Sequence, residues 1–297
     1  MNHYTFETWD VFTDRRFAGN PLAVVMNAEG LDTDDMHRLA REFNLSESTF
    51  VLPPDDPANT ALVRIFTPAY ELPFAGHPTV GTAIAIARSR NLKGVLRLEL
   101  AAGVFPVKVE LDGEAAYAQF ENPNLPAEHG AAPAAELIEA ALTLPRGAVD
   151  RAGRRPRRIG AGVDFIYACA SLGAVRGAKL NGAAWEKLEL DRVVGVLLYA
   201  EGGESAEAAY HVRMFAPDAG VSEDPATGSA AAALGGYLAA LDGREQGRLS
   251  WVAEQGIEMG RPSLLHVEAD REGGRTTAIR VGGRAVTVSE GTMIVPD

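Results

Sequence analysis

EDPATGSAAAALGGYL, residues 223–238, runs an acidic pair, a proline and a small-residue turn straight into an alanine-rich segment. Glu223 and Asp224 stand just ahead of a predicted helix whose first turn also carries Thr227 and Ser229, and their purpose there decides the reading. One answer is capping. Asp, Ser and Thr accept hydrogen bonds from the orphan N–H groups of a helix start, and negative charge there suits the helix dipole. A second stretch, GHPTVGTAIAIA at 76–87, suggests more. With HPTVGTA (77–83) set over DPATGSA (224–230), Pro78 meets Pro225, Gly81 meets Gly228, Thr82 meets Ser229 and Ala83 meets Ala230. Upstream, RIFTP (64–68) precedes the first copy and RMFAP (213–217) the second. Each unit reads as a strand, a loop of about ten residues, and Pro-x-x-Gly-[Ser/Thr]-Ala opening a helix. A repeated half is the simplest reading, with His77 in the place that Asp224 takes in the second copy.

The chain has 297 residues, enough for two domains of ordinary size. Its 46% hydrophobic and 23% charged content is that of a soluble globular protein. No apolar run approaches the roughly 18 residues of a membrane span, and MNHYTFETWDVF lacks the pattern of a signal peptide. The single cysteine, Cys169, rules out an internal disulfide and fits a reducing cytoplasm. A net charge of −12 argues against a nucleic-acid partner. The basic run RAGRRPRRIG (151–160) reads as a solvated loop, because no aromatic residues interleave it for base stacking.

Alternating runs rich in β-branched and aromatic residues dominate both halves: YTFETWDVF, LAVVM, LVRIF, VLRLEL, VFPVKVEL and YAQF, then FIYACASL, VGVLLYA, AYHVRMF, LSWVAE, LLHVEA, TAIRVGG and RAVTVS. DDMHRLAREFN (34–44) predicts a helix with Met36, Leu39, Ala40 and Phe43 on one face and Asp32 or Thr33 as its cap. The echo helices, predicted at 79–90 and 227–241, are apolar or small nearly all round, as buried helices are. With about seven strands available per half, the economical α+β architecture curls each sheet around one central helix. The proline- and alanine-rich stretch near 121–133 divides the halves, and the two helix starts are expected to face a shared cleft.

Nucleotide motifs are absent, and the scattered histidines (3, 37, 77, 129, 211, 266) give no zinc spacing. CASLG (169–173) lacks the first glycine of a nucleophile elbow. Acid–base chemistry on a small anion remains. Helix starts bind carboxylates through N–H groups and the dipole; Thr82 and Ser229 offer hydroxyl donors, and His77 and Asp224 two titratable groups. Glu47, in NLSESTFVL (44–52), is either an exposed turn glutamate or a carboxyl drawn out of water just before an apolar strand, its pKa raised toward a working pH.

DVFTDRRFAGNPLAVV (10–25), LAREFNLSESTFVL (39–52), RIFTPAYELPFAGHPTVGTA (64–83), RMFAPDAGVSEDPATGSA (213–230) and EQGIEMGRPSLL (254–265) together resemble the phenazine-biosynthesis PhzF family, of the diaminopimelate-epimerase superfamily. The resemblance covers essentially the whole chain. It implies two pseudo-symmetric barrels around central helices, an N-terminal one of 1–120 plus about 284–297 and a C-terminal one of 121–283. It also implies an active site between them, a homodimer, and an isomerase that needs no cofactor or metal. In the family's phenazine-pathway enzyme a glutamate moves a proton between ring carbons of trans-2,3-dihydro-3-hydroxyanthranilate; other members lie outside phenazine pathways. The resemblance places the family's proton-carrying glutamate on Glu47 and its substrate-contacting residues on His77, Asp224 and Ser229, with Gly76 and Gly228 beside them. The superfamily's epimerases use two facing cysteines near the helix starts; neither loop here has one, which excludes two-thiol racemisation. Cys169, in an apolar run, reads as a core residue. A cytoplasmic enzyme of a small carboxylate, with no membrane or nucleic-acid partner, is the expectation. An isomerase of a different amino or hydroxy acid and a non-catalytic metabolite binder are the alternatives.

Overall fold

Local chemistry sets the first helix clearly. Asp32, in extended conformation, accepts from the Asp35 N–H and opens α1 (Thr33–Phe43); Asn44, at φ 51°, closes it with its N–H on Ala40 O. Met36, Leu39 and Ala40 are buried, so the apolar stripe faces the core as its spacing predicts. The computed structural model describes residues 1–150 and 153–296. The chain divides into two compact units, Met1–Glu121 with Gly282–Asp297, and Asn122–Val281. Among the described residues no helix is long and apolar enough to cross a membrane.

The first unit contains β1 (Asn2–Val11), β2 (Asn20–Val25), α1, β3 (Glu47–Leu52), β4 (Ala61–Phe66) and β5 (Glu71–Leu72). Then follow α2 (Gly76–Ser89), β6 (Gly94–Leu100), β7 (Gly103–Glu110) and β8 (Ala116–Glu121). The second unit holds β9 (Ala127–Glu128), α3 (Ala135–Ala141), β10 (Arg157–Gly160), β11 (Asp164–Cys169), α4 (Leu172–Gly177) and α5 (Gly182–Trp185). It continues with β12 (Val193–Glu201), β13 (Tyr210–Ala216), β14 (Val221–Asp224), α6 (Gly228–Asp242), β15 (Gly247–Gln255) and β16 (Ser263–Glu272). The last strand, β17 (Arg275–Val295), belongs to both, since the units divide at Val281 and Gly282. TAIRVGG and RAVTVS, read as two strands, are thus one; the Gly282–Gly283 pair does not interrupt it. Gly282 is needed for another reason, because a Cβ there would clash with the Tyr117 hydroxyl and lie 2.7 Å from Ala118 O.

In the first unit β1, β2, β3, β4, β6, β7, β8 and β17 pair in sequence, and β17 returns to β1, closing an eight-stranded barrel. Closure pairs each of these eight strands on both sides. Helix α2 packs on β1, β2, β3, β6, β7 and β8, buried from Gly76 to Ala87. A helix at that depth needs small residues: a Cβ on Gly81 would lie 2.6 Å from Leu22 Cδ2 and 2.7 Å from Val11 Cγ2. The second unit follows the same plan. β11–β12 and β13–β15 are parallel like β2–β3 and β4–β6, while β12–β13 and β15–β16 are antiparallel like β3–β4 and β6–β7. Helix α6 lies against β10, β15 and β16.

Two ion-pair frames repeat with the fold and fix the register of the repeat. Arg64 of β4 clasps Glu71 of β5 through Nε–Oε1 (2.7 Å) and Nη2–Oε2 (2.6 Å). Arg213 of β13 clasps Glu223 of β14 at 2.8 and 2.7 Å through the same atoms. Ile65 pairs with Leu72 as Met214 pairs with Asp224. Glu71-Leu72-Pro73-Phe74-Ala75-Gly76-His77 therefore corresponds to Glu223-Asp224-Pro225-Ala226-Thr227-Gly228-Ser229, and Gly76 and Gly228 each begin a helix. Pro225 thus corresponds to Pro73 and not, as the sequence suggests, to Pro78. The first copy contains Pro-x-x-Gly twice, at 73–76 and 78–81, and the first of these is the equivalent one. His77 corresponds to Ser229, not to Asp224, and α2 starts three residues earlier than predicted.

Candidate active site

Neither central helix has a side-chain cap. Ala75, the N-cap of α2, has no group to offer, and the first intrahelical bond is Thr79 N–H to Ala75 O. Thr227, the N-cap of α6, turns its hydroxyl away, donating 2.5 Å to Asp224 Oδ2. By contrast α1, α4 and α5 are capped by Asp32, Ser171 and Asn181. Capping therefore does not explain the acidic pair that precedes α6. Glu223 serves the frame through Arg213, and Asp224 stands apart from it.

In the first unit the helix start brings His77 to Glu47. Glu47 is the first residue of β3, not an exposed turn residue: its side chain is 19% exposed and that of His77 5%. His77 Nε2 lies 3.5 Å from Glu47 Oε2, and that oxygen is buried without a hydrogen bond among the described residues. Burial pushes the carboxyl up to about 7, against a smaller opposing hydrogen bond with Ser46. Ser46 Oγ also lies 3.2 Å from Asn20 Oδ1. A carboxyl that is half ionised near neutrality can both take a proton and return it.

That poise has a cost in stability whose sign follows from linkage. The carboxyl rises from about 4.5 in the unfolded chain to about 7 when folded, so the folded state is penalised increasingly between those values and by a constant amount above them. At about 1.4 kcal/mol per pH unit the penalty is on the order of 3 kcal/mol. Glu47→Gln has no charge to bury. It is expected to gain about 2–3 kcal/mol of stability over the parent as pH rises from about 5 to about 8, read from denaturant unfolding. A gap that stays constant across that range would mean that Glu47 ionises as it does in water.

In the second unit the start of α6 is held by a residue of the EQGIEMGRPSLL stretch to which the sequence assigns no role. Gln255, the buried last residue of β15, donates through Nε2 to Asp224 O (2.7 Å) and Thr227 Oγ1 (3.0 Å), and accepts from Thr227 N–H at 3.2 Å. Thr227 then donates to the Asp224 carboxylate, fixing one of its oxygens. Gly256 follows at φ 77°, where a Cβ would press 2.7 Å on Pro225 O, so the chain after Gln255 lies tight against the turn. Ser229, in the first turn of α6, is half-buried.

Other expected features are placed differently. Thr82 is fully buried and shares a 2.8 Å hydrogen bond with Thr49, so it is a core residue and not a donor at the helix start. Ser171 of CASLG is the cap of α4. Of the basic run 151–160, Arg151 and Ala152 lie outside the described residues; the rest is not a free loop, because 157–160 form β10. Arg154, Arg157 and Arg158 pair with Glu201, Glu128 and Asp164. A groove of about 630 Å³ on the first unit contains none of the candidate residues; of its charged groups Arg64 and Glu71 form the frame, and Glu99 accepts from Asn59 and from the Asp55 and Asp56 N–H groups. Cys169 is buried in the core of the second unit beside Tyr199 and Arg154, and burial pushes its thiol up. Cys169→Ser is expected to leave turnover within a few-fold of the parent at a cost of about 1–3 kcal/mol. Loss of activity in a stably folded variant would revive thiol chemistry.

A barrel wound on a buried helix whose start adjoins a carboxyl raised to about 7, with a second unit of similar strand pairing, suits acid–base chemistry on a small molecule. The family model described as phenazine biosynthesis-like protein matches residues 9–291. An uncharacterized isomerase of Mesorhizobium japonicum is 41% identical over 99% of this chain and 100% of its own. The trans-2,3-dihydro-3-hydroxyanthranilate isomerase of Pseudomonas aeruginosa is 35% identical over 95% of this chain and 96% of its own. The crystal structure of a PhzF-family protein of Bacillus anthracis superposes with a TM-score of 0.90 at 24% identity, over 99% and 100% of the two chains. The chain belongs to the PhzF-like family and is an isomerase of that type.

Proposed function

We propose that this isomerase moves a proton between two carbons of a small unsaturated amino or hydroxy carboxylate, with trans-2,3-dihydro-3-hydroxyanthranilate the leading candidate. The observation that carries the reading is Glu47, drawn up to about 7, with a buried oxygen that lies 3.5 Å from His77 and has no hydrogen bond among the described residues. As a carboxylate it takes a proton from one substrate carbon, and the electron pair of that C–H bond moves into the adjoining unsaturated system. The neutral carboxyl then returns the proton at the far end, so the net change is isomerisation. The step consumes no oxidant or reductant and calls for no cofactor. His77, Asp224 and Ser229, with the Gly76 and Gly228 N–H groups, hold the anionic substrate; the reading requires both helix starts to serve one ligand. The homodimer implied by the family resemblance belongs to this reading and is tested by light scattering.

The greater identity to an uncharacterized isomerase than to the hydroxyanthranilate enzyme favours a second reading, the same chemistry on a different small acid. Incubation with trans-2,3-dihydro-3-hydroxyanthranilate and a panel of unsaturated amino and hydroxy acids, followed by proton NMR, separates the two. Conversion of the first supports the leading candidate. Conversion only of another supports the second reading, and ligand binding without conversion of any would leave a binding protein.

A further inference from the structure

Behind the Asp224 turn lies a buried cluster that the proposed chemistry does not use. His211 of β13 is fully buried, with Nδ1 2.5 Å from Glu254 Oε1 and Nε2 2.9 Å from Glu258 Oε1. Glu254, also fully buried, is pinned by the N–H groups of Glu204 (2.7 Å) and Ser205 (2.8 Å). The Glu258 side chain, 18% exposed, also has Arg213 Nε at 3.7 Å from its Oε2. A neutral imidazole has one N–H and could serve only one of these carboxylates, presenting a lone pair to the other. The geometry is that of an imidazolium donating from both nitrogens.

Glu254 and Glu258 bracket Gln255, the residue that holds Asp224 and Thr227. After Gln255 the chain closes a tight turn that includes Glu258, with Arg261 N–H on Gly256 O at 2.9 Å. We propose that His211 is a positioning residue: as a cation between Glu254 and Glu258 it fixes the segment that carries Gln255, and through Gln255 the Asp224–Thr227 pair at the start of α6. Its bearing on substrate rests on the proposed function; the positioning itself does not.

The charged groups facing His211 are Glu254 from β15 and Glu258 from the following turn. In register on β12 is Ala200, and Arg213 on its own strand is engaged by Glu223. These carboxylates raise the pKa of His211 against its burial, and His211 in turn lowers that of Glu258. A raised histidine contributes stability that is complete below its unfolded pKa and is lost as pH rises through the folded one. The arrangement therefore loosens on the alkaline side.

The experiment uses the full chain in nitrogen-15-labelled form. Imidazole shifts of His211 and protection of the Thr227 amide are followed against pH, with exchange corrected for its intrinsic pH dependence. The probe is 3-hydroxyanthranilate, titrated at each pH. The expected result is a doubly protonated His211 at about neutral pH. Thr227 protection should fall at least about tenfold as His211 loses its proton, while the amides of β12 keep theirs. In His211→Gln that protection should be low at every pH and no longer track a titration. A purely structural role would lower protection throughout the unit. A neutral His211 with one N–H near neutrality, or Thr227 protection unchanged through the titration or in the folded variant, overturns the proposal. Should the variant not fold, the parent's titration decides. Probe affinity that weakens along with Thr227 protection ties the device to the site. A probe that fails to bind at any pH counts against the substrate reading and leaves the exchange result to judge the positioning.

Discussion

Glu47→Gln is expected to bind ligand with affinity near the parent's and to turn it over at least about a hundredfold more slowly. The amide keeps the shape of the side chain and can still hydrogen-bond near His77, but it cannot accept a proton from carbon. Acid–base work of this kind is worth about 10²–10⁴ in rate. The loss should fall on kcat, because Glu47 is read as acting on the transition state and not as holding the substrate. The same variant is predicted above to be more stable at alkaline pH. A variant that is tighter folded yet inactive distinguishes a proton carrier from a structural carboxylate, whose loss would lower stability and activity together. Turnover by the variant at the parent's rate would assign the proton to another group.

Asp224→Ala is expected to weaken both ligand affinity and turnover, each by about tenfold or more. A hydrogen bond to a charged group is worth about 1.5–3 kcal/mol, which is roughly 10–100-fold in an equilibrium constant. The substitution also removes the acceptor of the Thr227 hydroxyl, so the N-cap of α6 loses a fixed partner. Gln255→Leu should reproduce part of this effect without touching the carboxylate, since Gln255 holds Asp224 only through its backbone oxygen and Thr227. Paired calorimetric titration and rate assays on folded variants check both. Unchanged affinity in Asp224→Ala would remove it from the substrate-holding set.

Much of this was legible in the residues. Asp32 and Asn44 bracket α1 as chain chemistry dictates, and the all-apolar character of the echo helices announced that they are buried. The repeat was legible too, but not its register. Pro-x-x-Gly occurs twice in the first copy, and only the pairing of Arg64 with Glu71 and of Arg213 with Glu223 shows which occurrence is equivalent. The three-residue excess in the second copy, accommodated around the 3₁₀ turn Pro217–Ala219, also displaced the match. Thr82 looked like a donor because hydroxyls near helix starts often are; its place in the second turn directs it to Thr49 instead. Gln255 escaped because a glutamine ending a strand has no local signature, and its role exists only where β15 passes the Asp224 turn. Glu47 was left open by spacing alone. Burial decides it, and burial is a property of the closed barrel.

The central claim is that Glu47 removes a proton from substrate carbon. The direct measurement uses substrate labelled with deuterium at the carbon that is to lose its proton, under conditions where parent and Glu47→Gln are both saturated, with label followed by mass spectrometry. The account predicts that the parent strips the label from that carbon as product forms, and that Glu47→Gln leaves it in place on bound, unreacted substrate. Removal of the label by Glu47→Gln as fast as by the parent would contradict it.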